Sequence, residues 1–265
     1  MRNPTQTNVG TSSPISMLRT FGDRGGVVLT GANDRTLLWI GCGGCSGETQ
    51  GLLGVEGNAA DLVDLIDVDG VRLLWHPSLA EADLWPVYRA VMDGREPLTM
   101  LCVEGSIALA EDGMYDILGD AGKFRVVREL CERADYVLAM GACSSYGGWQ
   151  AQPPNPSGAV GLQFTLNATG GLLPPDWRSR GGLPVVSVAG CPVPPDTQVA
   201  VIRWVLAGAP GGVDAFGRPP DVKPCLPSPA YRGCGTPRRI GLRCIGCTGP
   251  SFPNYSDRPF VRWAA

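Results

Sequence analysis

The chain has 265 residues, of which 44% are hydrophobic and 18% charged, enough for one large domain or one domain plus an appendage. Its net charge of −3 gives no electrostatic footing for nucleic acid, which requires clustered basic charge. No apolar run approaches the ~18 residues of a membrane span, so no span is expected in this chain.

In chain order, residues 1–33 are polar and predict an extended arm. They lack a charged region followed by an apolar one, and lack a twin-arginine signal. The expectation is a cytoplasmic, reducing compartment, with any membrane association made through partners. Short apolar runs then alternate with helical patterns. "RTLLWIG" (35–41), "GVRLLWHP" (70–77), "PLTMLCVEG" (97–105), "DYVLAMGAC" (135–143) and "LPVVSVAGC" (183–191) predict strands buried on both faces. "LAEADLWPVYRAVMDG" (79–94), "GKFRVVRELCERA" (122–134) and "DTQVAVIRWVLAG" (196–208) have helical spacing and glycine stops. This order is that of a doubly wound parallel α/β sheet over 34–208, without internal repeats. From 209 to 265 the texture changes. Ten of the 24 prolines fall here with Cys225, Cys234, Cys244 and Cys247, and the segment is too poor in apolar residues to build its own core. A metal centre or a partner surface must hold it.

The chain has ten cysteines, and in a reducing compartment these point to metal ligation before disulfides. Cys45, Cys143 and Cys191 each follow a predicted parallel strand, and the loops at the carboxyl ends of such strands converge on one crevice. Three thiols brought there from remote sequence fit an iron–sulfur cluster. The tail's "CIGC" (244–247), preceded by Cys234 and Cys225, fits zinc or iron–sulfur equally. Cys102, inside a strand, and Cys131, late in a helix, are read as packing residues. The single histidine, His76, is read as structural, and no nucleophile context surrounds it. "GCGGCSG" lacks the Gly-Lys-Ser/Thr of a phosphate loop.

Five stretches carry a resemblance: "LLWIGCGGCSGETQGLL" (37–53), "VEGSI" (103–107), "GACSSYGGWQAQPPNPSGAVG" (141–161), "GCPVPPD" (190–196) and "CIGCTGPSFP" (244–253). With them the chain resembles the small, electron-transferring subunit of nickel–iron hydrogenases. The related subunit of quinone-reducing complexes carries adjacent cysteines at the first position, which this chain lacks. The expected fold is α/β, a flavodoxin-like doubly wound parallel sheet with an irregular C-terminal iron–sulfur segment.

The resemblance implies a proximal cluster held by Cys45, Cys143 and Cys191, with Glu48 where the family has its second cysteine. Three alternatives stand. Glu48 ligates the fourth iron of a 4Fe-4S cluster through oxygen, or Cys42 supplies the thiolate in its place, or there is no fourth ligand and the cluster is 3Fe-4S. Cys234, Cys244 and Cys247 match the family's medial cluster, 4Fe-4S or 3Fe-4S, with Cys225 either its fourth ligand or left over. The family's distal set, including its histidine, has no full counterpart. The nickel–iron centre is expected on a separate large subunit, since this chain has no paired C-x-x-C motifs of the kind that hold it. Glu104 is a candidate for shaping the subunit interface, beside its plain reading as a strand-end carboxylate. A higher oligomer of heterodimers is expected. Two other functions compete: an iron–sulfur subunit of a quinone oxidoreductase, and a non-catalytic scaffold stabilised by zinc.

Overall fold

A computed structural model describes residues 35–54, 62–166 and 168–220. The N-terminal arm and the tail cysteines Cys225, Cys234, Cys244 and Cys247 lie outside the described residues. Five strands, β1 (Thr36–Gly41), β2 (Arg72–Trp75), β3 (Met100–Glu104), β4 (Tyr136–Met140) and β5 (Val186–Val188), form one parallel sheet in the order β5-β4-β3-β1-β2. That is the flavodoxin-type strand order. Its helices are α1 (Gly47–Leu53), α2 (Leu62–Asp67), α3 (Leu84–Met92), α4 (Lys123–Arg133), α5 (Gly141–Tyr146) and α6 (Pro195–Leu206).

The strands are apolar on both faces because helices cover both. Side chains alternate across a strand, so each strand feeds two cores. Leu37, Trp39, Met100, Cys102, Leu138, Met140, Val186 and Val188 pack with Leu52 of α1, Leu62 and Leu65 of α2, and Val199, Ile202 and Val205 of α6. Leu38, Ile40, Leu101, Val103, Val137 and Ala139 pack on the other face with Leu84 and Val91 of α3 and Val127, Leu130 and Cys131 of α4. Each such aliphatic side chain contributes roughly 1.5–3 kcal/mol when fully buried. Cys102 and Cys131 are fully buried in these two cores, as their packing reading expects.

Three features exceed the sequence reading. The predicted strand 135–143 stops at Met140, because Gly141 takes φ +89° and turns the chain into α5. Cys143 therefore stands on a short helix. Helices α1 and α2 were also unanticipated; at 7 and 6 residues they are too short for periodicity to reveal. Finally, residues 209–220 return along the edge of β5, where Ser187 N donates to the Gly217 carbonyl at 2.7 Å. Among the described residues no helix is long and apolar enough to cross a membrane.

Candidate functional site

The carboxyl end of the sheet gathers three loops. The first leaves β1 at Gly41. Cys42 continues the strand alternation onto the α4 face, where it packs at the edge of that core. Its thiol is pushed up to about 12 by burial and by Asp116, against the opposing charge of Lys123. Lys123 Nζ pairs with Asp116 at 2.6 Å and donates to the Gly41 carbonyl at 3.1 Å. Cys45 lies farther along the loop and is exposed. A Cβ built on Gly47 would lie 3.2 Å from Cys45 Sγ and 3.3 Å from Pro192 Cβ. Cys45 is thus beside the residue that follows Cys191.

Helix α1 begins immediately afterwards, and its first N–H groups have no intrahelical partner. Glu104, at the end of β3, supplies the acceptor. Its Oε1 accepts from Glu48 N at 3.0 Å and Thr49 N at 3.3 Å. Its Oε2 accepts from Trp39 Nε1 at 3.1 Å and from the Thr49 hydroxyl. Glu104 is only 3% exposed, and these four donors all belong to this chain. Its observed work is to fix the first turn of α1, and so to aim Glu48.

Glu48 is 7% exposed. Its Oε1 occupies the side-chain space of Gly141, where a Cβ would come within 2.2 Å. The carboxyl is pushed up to about 8 by burial and by the charge of Glu104, partly offset by hydrogen bonds from its own N–H and from Val193 N–H. Two residues beyond Gly141, Cys143 is half-buried. Its thiol is pushed up to about 11 by burial and by the nearby Glu48 and Cys45, partly offset by a hydrogen bond from Trp149 N–H. The third loop, after β5, carries Cys191, half-buried, and Val193. Gln198 on α6 spans the loops: its Nε2 donates to the Glu48 carbonyl at 3.2 Å and to the Val193 carbonyl at 2.9 Å.

The structure therefore brings Cys45, Glu48, Cys143 and the Cys191 loop to one crevice and directs Cys42 to the other face of the sheet. Among the described residues no three His, Cys, Asp or Glu side chains converge closely enough for a single metal ion. A polynuclear cluster spreads its ligands across its own width, and the donor set of three thiols and a carboxylate fits one. Gly47 and Gly148 leave open the space beside the Cys45 and Cys143 sulfurs; a Cβ on Gly148 would lie 2.6 Å from Cys143 Sγ. The Cys143 thiol, pushed up by burial and by neighbouring anions, is one that a bound cation would deprotonate outright.

His76 is fully buried behind Trp39, with ring centroids 5.5 Å apart. Its Nδ1 accepts from Ser78 N at 3.1 Å. Burial lowers its pKa to about 4 against the pull of Glu104. Sequence reasoning missed Gln198 and the N–H groups of Val193 and Trp149. Backbone donors leave no residue signature, and Gln198 lies on a helix whose pattern speaks only of packing.

Residues 42–205 match the family described as NADH ubiquinone oxidoreductase, 20 kDa subunit, which covers more than half of the chain. The chain belongs to this family. Within the 20 kDa-subunit family its likeness is to nickel–iron hydrogenase small chains. It is 28% identical over 190 residues to the quinone-reactive Ni/Fe-hydrogenase small chain of Wolinella succinogenes, covering 69% of this chain and 48% of that one. It is 29% identical over 187 residues to the hydrogenase-2 small chain of Escherichia coli K12, covering 69% and 46%. The chain spans about half the length of these relatives. Its structure superposes on a chain of the actinobacterial-type NiFe-hydrogenase from Ralstonia eutropha H16 with a TM-score of 0.63 and 25% identity, covering 85% of this chain and 81% of that one. The Ni-Fe-Se hydrogenase of Desulfomicrobium baculatum shares the fold, with a TM-score of 0.60 at 22% identity, covering 85% and 98%.

Proposed function

We propose that this chain is the electron-relaying small subunit of a nickel–iron hydrogenase, acting between an external acceptor and a large subunit at which H2 yields two protons and two electrons. The observation that carries this reading is the convergence of the 42–48, 141–148 and 190–193 loops on one crevice, in a chain whose relatives are hydrogenase small chains. An iron–sulfur cluster held by Cys45, Cys143, Cys191 and Glu48 supplies one-electron steps there. Glu48 brings a hard anionic oxygen, which favours ferric iron and shifts the potential of the site. Trp149 N–H, directed at the Cys143 sulfur, tunes the same potential, since hydrogen bonds to ligand sulfurs are one of its determinants. A second cluster is assigned to Cys234, Cys244 and Cys247, with Cys225 as fourth ligand.

The partner is a large subunit holding the nickel–iron centre. Leu53, Met114, Tyr115, Ile117 and Trp149 are exposed apolar side chains on this chain, and Leu53 and Trp149 stand next to the ligand loops. Such surface is what a partner covers.

The test is a ligand panel in the chain co-purified with its partner. Glu48→Ala removes the fourth iron and changes the electron paramagnetic resonance signal of the cluster. Glu48→Cys keeps that iron at an altered potential, and Cys42→Ala leaves iron and signal unchanged. Loss of the fourth iron in Cys42→Ala but not in Glu48→Ala would transfer the ligand to Cys42.

A further inference from the structure

Gln198 is an unexpected residue for its place. It stands on α6 among Val199, Val201 and Ile202, in the core between that helix and the sheet, and is 0% exposed. Burying an amide there is costly unless its hydrogen bonds are made. Nε2 makes two, to the Glu48 and Val193 carbonyls, while Oε1 finds no partner among the described residues. The orientation is fixed by chemistry: both neighbours are carbonyls, so the amide nitrogen must face them, and Oε1 is left over. A leucine would fill this space without an orphaned oxygen. The orphan persists beside two bonds that link segments 150 and 5 residues away in sequence.

Those two segments belong to different ligand loops. Glu48 opens α1, and Val193 stands two residues after Cys191. They are tied a second time in the opposite sense, since Val193 N–H donates to the Glu48 carboxyl. A Cβ on Gly51, one turn along α1, would meet Pro195 Cγ at 3.6 Å and Gln198 Nε2 at 3.8 Å, so α1 and α6 are in close approach here. Glu104 holds the amide end of the first turn of α1 from β3. Gln198 holds a carbonyl of the same turn from α6.

We propose that Gln198 is a positioning residue for the cluster site: its amide clamps the Glu48 backbone to the Cys191 loop, fixing the separation between a ligand on α1 and a ligand after β5. The inference rests on the cluster assignment made above. Gln198 touches no reacting group. It acts through Glu48 and Val193, as outer partners of ligands do elsewhere.

The experiment uses the full chain, purified anaerobically in its complex, and follows iron release to a chelator together with the paramagnetic signal and midpoint potential of the cluster. Gln198→Leu keeps the size and removes both donors; Gln198→Glu keeps size and polarity but offers the two carbonyls an acceptor. Both variants release iron faster by about 10-fold or more and shift the potential. Val205→Ala, a cavity in the same helix about two turns beyond Gln198, lowers the melting temperature and leaves release rate, signal and potential as in the unaltered protein. If Gln198→Leu fails to fold, Gln198→Glu decides. Iron retention and potential unchanged in the folded variants would overturn the clamp. A parent protein without iron or paramagnetic signal would instead overturn the cluster assignment, so the two failures are distinct.

Discussion

Replacing Glu104 by glutamine probes how the first turn of α1 is held. The carboxylate accepts four hydrogen bonds, two on each oxygen. Glutamine keeps one oxygen. Placed toward the Glu48 and Thr49 amides, that oxygen preserves the helix end, though with a neutral acceptor. The amide group then faces the Thr49 hydroxyl, which can turn to accept, and the Trp39 indole N–H, which cannot. One buried donor is orphaned, at a cost of about 1–3 kcal/mol. Taking about 2 kcal/mol, any opening that lets water reach Trp39 Nε1, and with it the first turn of α1 held by the same side chain, becomes about 30-fold more frequent. Glu104→Ala strands all four donors and costs about twice as much or more. Hydrogen exchange, resolved to a peptide covering residues 45–54, reads this directly. The expected order is unaltered protein slowest, Glu104→Gln intermediate and Glu104→Ala fastest. Exchange in Glu104→Gln within about threefold of the unaltered protein would refute the reasoning, because at that level no donor has been orphaned.

Other perturbations have defined outcomes. Gly148→Ala suffers twice, from φ +57° and from a Cβ placed 2.6 Å from Cys143 Sγ, and should lose cluster iron as well as stability. Gly94→Ala, at φ +72° with nothing within 4 Å, should cost only about 1–2 kcal/mol and keep its iron; melting and iron analysis of the pair separate the two effects. Burial pushes the His76 pKa down to about 4 from the ordinary 6.5, so it is neutral in the fold and the unfolded chain binds the extra proton. Its contribution is fully present above about pH 6.5 and is lost as pH falls toward 4, by up to about 3 kcal/mol; denaturant titrations of the unaltered protein and of His76→Gln should differ by that slope, the opposing contribution of Glu48, whose carboxyl is pushed up to about 8, being common to both. Cys247→Ser should abolish the paramagnetic signal of the second cluster proposed above while leaving that of the first proposed cluster.

The five strands were legible because β-branched and aliphatic runs bounded by turn residues leave few alternatives, and their parallel pairing followed the strand–helix alternation, whereas the flavodoxin-type order was an expectation given with the family resemblance. Cys45, Cys143 and Cys191 could be gathered on paper for the same reason: topology alone brings the carboxyl ends of parallel strands together. The two short helices that carry Glu48 and Cys143 were not legible. Helix α1 depends on Glu104, 56 residues from Glu48, to satisfy its first amides. Helix α5 depends on a glycine at positive φ. The face taken by Cys42 was implicit in the alternation of β1, since Leu38 and Ile40 point to the α4 core and Cys42 follows in step. What sequence could not disclose was the role of Glu104, whose motif suits an interface as well as an internal cap, nor that of Gln198, whose partners are set by packing.

The most direct measurement is quantitative iron and sulfide analysis with electron paramagnetic resonance on the chain co-purified with its partner, as isolated and again under H2. The account predicts iron and acid-labile sulfide in this chain, nickel only with the partner, and a signal from the Cys45–Glu48–Cys143–Cys191 site that responds to H2. Zinc in place of iron, or iron whose signal survives Cys143→Ser and Cys191→Ser unchanged, would contradict it.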